Sequence, residues 1–314
     1  MQYYFAPMEG ITDSIYRQLH HKFFPGIHRY YTPFFSPTIH RSLTQKERRE
    51  LQPASALDFA VVPQILTKNP EDFIWMAQQC QEAGYSEVNL NLGCPSGTVT
   101  AKGKGAGALR DLDSLDLFLD AVFRASPLPV SVKTRIGFSS SEEFPKLLDI
   151  FNRYPVRELI IHPRTRAAFY KGQVDMDCFR YAVAHSRNPL CYNGNLCSRE
   201  DIRTFSTEFP GIHAVMLGRG LVADPGMLTA SGTEIAALEQ FHNSLLDTYT
   251  QVFGSSRNAI FRMKENWHYW ICLFRCDAPT YKRLQKTTDI YEYREITHKI
   301  FSTLPFSNAL IPNW

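Results

Sequence analysis

Nothing in this chain is paired, strongly one-sided in charge or continuously apolar. Its seven cysteines, at 80, 94, 178, 191, 197, 272 and 276, are odd in number and nowhere form Cys-x-x-Cys. Neither a disulfide framework nor a thioredoxin-like or zinc-ribbon site is signalled, so a reducing, cytoplasmic setting is expected. No run of roughly 18 apolar residues is present, which argues against a membrane span. Met1-Gln2-Tyr3-Tyr4-Phe5 lacks a basic stretch leading into an apolar one, so no secretory leader is expected. The formal net charge is only +3, which permits a polyanionic partner without demanding one. Ten histidines are scattered without acidic partners, His20-His21 within a helix-like stretch, and no metal is expected. Ala6-Pro7-Met8-Glu9-Gly10 stands after the first strand-like segment in place of Gly-x-Gly-x-x-Gly, which disfavours an open dinucleotide-binding sheet.

What is present is a repeat. Short apolar or alternating runs recur at 3–8, 29–35, 59–66, 88–92, 129–136, 158–162, 190–193 and 214–218, the period of strands. Amphipathic segments lie between most of them. Pro70 to Gly84 opens on proline with Glu71 and Asp72 and ends on glycine, as a helix should. Residues 113–125, 141–154 and 198–209 read as helices too, whereas 41–52 is charged with few apolar positions. Eight strands alternating with helices predict an α/β fold, a (β/α)8 TIM barrel. After Gly220 the texture turns helical, with segments at 233–252, 257–274, 279–287 and 292–301. The expected division is a catalytic barrel over 1–232 and a C-terminal all-helical domain over 233–314.

One stretch organises the rest. In Glu87-Val88-Asn89-Leu90-Asn91-Leu92-Gly93-Cys94-Pro95-Ser96 a strand stops at Gly-Cys-Pro, where glycine frees the backbone and proline fixes it. A cysteine after a strand is as a rule a small buried hydrophobe. The flanking asparagines and the following Lys102-Gly103-Lys104-Gly105 argue instead for a thiol presented at a strand end.

Function in a barrel gathers at the carboxyl ends of strands. This sequence puts Pro7, Met8, Glu9, Gln64, Asn91, Cys94, Lys133, Arg135, His162, Arg164, Asn193, Gly194, Gly218, Arg219 and Gly220 there. Charges at strand ends are uncommon unless paired or functional. The glycine turns after the last two strands can offer amides, and Arg219 a guanidinium, to a phosphate. Lys133, well away, suits electron-rich atoms of a ring system on the same ligand.

These residues carry a resemblance. The motifs are Ala6-Pro7-Met8-Glu9-Gly10-Ile11-Thr12-Asp13, Gln64, Asn89 to Pro95, Gly103 to Leu109, Val132-Lys133-Thr134-Arg135-Ile136-Gly137, Ile161 to Arg166, Asn193-Gly194-Asn195 and Gly218-Arg219-Gly220. In that order they resemble the tRNA-dihydrouridine synthase family, FMN-dependent barrels with a helical C-terminal domain. The resemblance implies that Pro7, Met8, Gln64, Lys133, His162, Asn193, Gly194, Asn195, Gly218 and Arg219 hold FMN. It implies NADPH as hydride donor, Cys94 as proton donor to C5 and Asn91 orienting the base. Arg135, Arg164, Arg166, Lys102, Arg262 and Lys264 would then meet tRNA. A cytoplasmic monomer is expected. The pattern Arg262-x-Lys264 with Trp267 resembles the branch acting on position 16 of the D-loop.

Two features depart from the pattern. Thr32-Pro33-Phe34-Phe35 stands where the family has an acid after Ser or Thr. The tail from 233 carries nine Lys and Arg against eight Asp and Glu, so RNA contact would come from local clusters; Trp267, Tyr269, Trp270 and Phe274 at helical spacing read as core before base-stacking platforms. Two alternatives follow from the same residues. One is an FMN-dependent dihydroorotate or dihydropyrimidine-type oxidoreductase acting on a free pyrimidine. The other is a non-catalytic RNA-binding barrel, which would bind no flavin.

Overall fold

The computed structural model describes residues 1–307. Nine parallel strands form one sheet: β1 Gln2–Phe5, β2 Arg29–Tyr31, β3 Val61–Val62, β4 Gln64–Ile65, β5 Val88–Leu92, β6 Val130–Arg135, β7 Leu159–His162, β8 Leu190–Tyr192 and β9 Ala214–Leu217. Their order is β3-β2-β1-β9-β8-β7-β6-β5-β4, so the two ends of the sheet are consecutive in sequence. Pro63 alone parts β3 from β4. Val62 O receives the Thr32 amide at 3.1 Å on one side and Pro63 O receives the Asn89 amide at 2.8 Å on the other. The pair is therefore the single third strand expected from the sequence, interrupted because proline has no N–H for a ladder, and it all but closes a parallel barrel.

Helices fill the crossovers. They are α1 Ser14–Phe23, α2 Gln45–Glu50, α3 Pro70–Glu82, α4 Gly97–Thr100, α5 Leu112–Ala125, α6 Phe144–Phe151, α7 Met176–His185, α8 Arg199–Glu208 and α9 Arg219–Ala223; α10 Ile235–Phe253, α11 Ser256–Trp270, α12 Ala278–Lys286 and α13 Ile290–Thr303 follow. Asn69 caps α3 through the Asp72 amide, and Asp111 caps α5 through that of Ser114, each satisfying an orphan donor. The segment expected as one helix over 141–154 is a 3-10 turn at Ser141–Glu143 followed by α6. Residues 176–185, which carried no helix expectation, form α7.

By packing the chain divides into two compact units. One comprises residues 1–7, 28–195 and 209–216; the other 8–27, 196–208 and 217 onward. In the first, Tyr4, Ala6, Tyr31, Val62, Ile160, Cys191, Ala214 and Met216 form a buried apolar layer inside the sheet. In the second, α1 and α11 lie against α10. Trp267 and Trp270 are fully buried there, their rings 5.8 Å apart and edge to face, so both belong to core. No helix among the described residues is long and apolar enough to cross a membrane.

Candidate functional site

Side chains on a strand alternate faces, so residues two apart point the same way. Stepping up by two from the apolar layer of the first unit leads from Val62 to Gln64, from Ile160 to His162 and from Cys191 to Asn193. Asn89 and Asn91 on β5 pair in register with Ser131 and Lys133 on β6, and Arg135 pairs with His162 on β7. The inside of the sheet thus changes from apolar to polar toward the carboxyl ends of its strands.

Amides dominate the first polar level. Asn91 Nδ2 donates to Gln64 Oε1 at 2.7 Å, Gln64 Nε2 to Asn89 Oδ1 at 2.8 Å, and Asn89 Nδ2 to Ser131 Oγ at 3.0 Å. Thr32 Oγ1 accepts the Gln64 amide at 3.0 Å. That contact is the local role of the Thr32-Pro33 departure: the hydroxyl fixes the strand that carries Gln64. Asn91 Oδ1 turns back to accept the amides of Gly93 at 3.0 Å and Cys94 at 2.9 Å. The loop carrying Cys94 is fixed again from behind, where Ala106 N–H meets Cys94 O at 3.1 Å. Cys94 itself is half-buried, and none of the seven cysteines forms a disulfide.

Cations form the next level. Arg135 Nε donates to Gly93 O at 2.9 Å, and Nη1 to Thr165 O and Phe169 O at 2.8 and 2.6 Å. Its guanidinium lies 5.2 Å from the centre of the Tyr170 ring. Lys133 is different. Among the described residues no carbonyl, hydroxyl or carboxylate accepts a hydrogen bond from it. Burial and the nearby Arg135 pull its pKa down to about 8, with Cys191 and Cys94 pulling the other way. An ammonium without an acceptor at a strand end costs stability unless a ligand meets it.

His162 is held neutral by burial and by the charges of Arg135 and Lys133. Its Nδ1–H donates to Asn193 O at 2.6 Å, which fixes the tautomer, and Arg164 Nη1 lies 3.4 Å from the bare Nε2. Asn193 Nδ2 donates to Met216 O at 2.7 Å. Arg164 Nη2 is tied to Gly172 O at 2.7 Å, and Arg166 Nη2 to Thr100 Oγ1 at 3.3 Å. Arg166 also stacks on Phe138 and Phe169.

Of the residues singled out by sequence, then, the first unit brings together Gln64, Asn91, Cys94, Lys133, Arg135, His162, Arg164 and Asn193. Pro7 follows β1, Gly194 and Asn195 follow Asn193, and Asn195 takes a left-handed φ of 43°. Lys102 is exposed on the loop behind Cys94. Thr32 and Asn89, named in the sequence without a site role, join them, as do Ser131 and the Phe169-Tyr170 pair, which were not singled out; strand alternation marks Asn89 and Ser131, while the others depend on loop geometry.

The second unit holds the remainder. Met8 O caps a turn by accepting the amides of Ile11 and Thr12, both at 3.0 Å. Gly218 and Arg219 form the junction of β9 and α9. Two tail cations are internal. Lys264, 8% exposed, donates Nζ to Thr287 O at 2.5 Å, and Arg262 donates to Gly10 O and lies 3.7 Å from Asp13 Oδ2. Both positions faced RNA in the sequence-based expectation; here they tie loops to α11. No group of three His, Cys, Asp or Glu side chains among the described residues is disposed to hold a metal ion.

The sequence model of a family described as dihydrouridine synthase matches residues 4–294. A tRNA-dihydrouridine synthase B of Vibrio cholerae is 29% identical over 68% of this chain and 66% of its own length. Its counterpart in Proteus vulgaris is 30% identical over 70% and 67%. A tRNA-dihydrouridine(16) synthase of Shigella flexneri is 29% identical over 72% and 74%. The matched region thus spans about two-thirds of the type B relatives. Among solved structures, a mutant morphinone reductase in complex with tetrahydroNAD superposes with a TM-score of 0.50 at 11% identity, over 77% of this chain and 86% of that one; this likeness is one of fold.

Proposed function

This chain belongs to the dihydrouridine synthase family, and from that premise we propose that it reduces the C5–C6 double bond of a D-loop uridine in tRNA, using FMN and NADPH. The observation that carries the reading is Lys133, an ammonium at a strand end with no acceptor among the described residues and with Cys94 in its electrostatic field. A flavin fits such a group, because its ring offers nitrogen and carbonyl acceptors and gains negative charge on reduction.

In this reading Pro7, Met8, Gln64, Lys133, His162, Asn193, Gly194, Asn195, Gly218 and Arg219 hold FMN. Bound flavin supplies hydride to C6 of the uracil. The protein's own part is placement and one proton. Cys94 donates that proton to C5, a role open to a thiol because its ordinary pKa of about 8.5 keeps it protonated at neutral pH. Asn91 holds Cys94 at the rim through the loop amides. Arg166 and Lys102 meet the RNA, Arg135 and Arg164, which are buried, hold the loops beside it through their carbonyls, and residues 233–314 act as a tRNA-binding domain of a cytoplasmic monomer. Arg262 and Lys264 support that domain by bracing its loops.

The test begins with the purified protein, which should be yellow and should convert tRNA uridine to dihydrouridine with NADPH. Cys94→Ala should retain the flavin and lose the product. A colourless protein overturns the cofactor, and undiminished dihydrouridine from Cys94→Ala overturns the proton donor.

A further inference from the structure

Behind the Cys94 loop lies a cleft of which the reading above uses Lys102 alone. Its volume is about 670 Å³, and the loop of residues 36–41 faces Asn69, Asp72, Lys102 and Lys104 across it. All of it belongs to the first unit. The chain from Ser14 to Lys46 contains no Asp or Glu, so one wall contributes no negative charge. The cleft's one carboxylate, Asp72, is engaged by Arg41 at 3.4 Å. That leaves Lys102 and Lys104 as a net positive pair, with Lys68 close enough to act on Lys104. Burial is the main cause of a lowered Lys104 pKa; Asp72 opposes it, and Lys102 and Lys68 add to the lowering. Its Nζ has only a neutral partner, Ser36 Oγ at 3.2 Å. Such crowding of cations is relieved by an anion.

The cleft also offers an apolar contact. Ile39 is 90% exposed at the loop tip, and Arg41 follows it in a left-handed conformation with φ 45°, which costs energy in a residue other than glycine. The cleft lies beside the Cys94 loop, because the amide of Ala106, two residues from Lys104, donates to Cys94 O at 3.1 Å.

We infer that this cleft binds a backbone phosphate of the RNA strand whose uridine meets Cys94, with Ile39 against the adjoining nucleoside. The inference rests on the tRNA reading above and adds a seat for the strand beside the reacting nucleotide. Lys104 and Lys102 make the charge contacts. Ile39 supplies apolar surface of the kind that tolerates any base. A single positive charge removed from a phosphate contact lowers the slope of log binding constant against log salt by about one.

Direct binding of unmodified tRNA to the holoenzyme, titrated with salt, tests this. Lys104→Gln should weaken binding about 5- to 10-fold at moderate salt and flatten the slope by about one, and Lys104→Arg should restore both. Ile39→Ser should weaken binding with the slope intact. An unaltered slope in Lys104→Gln overturns the inference. So does a higher KM for NADPH with tRNA binding unaffected, which would assign the cleft to the dinucleotide's phosphate. If the native enzyme forms no dihydrouridine but Lys104→Gln still flattens its slope, the catalytic reading fails and the RNA seat stands; a native enzyme that binds no tRNA overturns both.

Discussion

Asn91 Oδ1 accepts the Cys94 amide hydrogen at 2.9 Å, so a side chain near the carboxyl end of β5 also sets where the thiol begins. The same oxygen holds Gly93, and the amide nitrogen is bound to Gln64 Oε1. Asn91→Ala leaves two loop amides and the Gln64 oxygen without partners. A loss of about 2 kcal/mol is expected, read as a lower denaturant midpoint at unchanged m-value. Turnover of tRNA should fall further than flavin content, because the displaced group is Cys94. Equal losses in the two would place Asn91 at the flavin instead.

A second contact fixes the same loop from behind. Gly105 has φ +57°, and a Cβ there would stand 2.9 Å from Cys94 O, 3.0 Å from Cys94 Cβ and 3.1 Å from Val99 Cγ1. Gly105→Ala therefore combines a left-handed backbone cost of about 1–2 kcal/mol with a forced shift of Cys94. Dihydrouridine formation should drop at least about ten-fold, the equivalent of roughly 1.4 kcal/mol in the barrier, with the flavin retained. An alanine variant of native activity would mean that the thiol tolerates displacement.

How far the sequence leads differs between strands and loops. The alternation around Val88–Leu92 and Val130–Arg135 made both strands legible, because a half-polar strand end has a two-residue period whatever packs on it. The strand ends themselves put Gln64, Lys133 and His162 at one rim. Alternation did not show that Pro63 divides a strand in two, although proline's missing N–H was in plain view. Nor could it show that Asn91 spends its oxygen on its own loop, since a carboxamide's direction is set by partners far along the chain. The tail was harder. Arg262 and Lys264 look like a surface pair, yet each reaches a carbonyl of a distant loop, Gly10 and Thr287, and no local pattern encodes such contacts.

Lys133 gives the site a pH dependence with a definite sign. Its folded pKa is about 8, below the ordinary 10.5. Below pH 8 both folded and unfolded chains carry the proton and the full cost of the partly buried charge is present. Between about 8 and 10.5 the unfolded chain binds more protons, so the stability of flavin-free protein rises with pH there, by an amount on the order of 1–3 kcal/mol. Lys133→Met should abolish that rise and stabilise the flavin-free protein at pH 7. Flavin affinity should show the opposite trend, strongest below pH 8 and weakening above it, and should lose this dependence in Lys133→Met. A native pH profile of affinity in that variant would remove Lys133 from the flavin site.

The helical tail carries its own titration. Trp267 Nε1–H donates to the Tyr293 hydroxyl at 2.9 Å, which in turn lies 2.9 Å from His242 Nε2, while His242 Nδ1 meets Asn243 Oδ1 at 2.9 Å. One neutral imidazole satisfies the series: Nδ1–H donates to Asn243 and Nε2 accepts from Tyr293. Burial pulls the His242 pKa to about 4 and that of His20, in the same unit, to about 3. Above the ordinary value of 6.5 neither state is protonated and the histidines contribute nothing. As pH falls from 6.5 toward 4 the unfolded chain takes up protons first, so the stability of this unit decreases. Tyr293→Phe leaves the indole N–H and the imidazole nitrogen buried without partners. It should cost about 2–4 kcal/mol at pH 7 and, by releasing Nε2, raise the His242 pKa. Unfolding followed by tryptophan fluorescence from about pH 7 down to about 4.5 should then show a shallower acid loss in Tyr293→Phe than in the native chain. An equal slope would show that His20 dominates the titration.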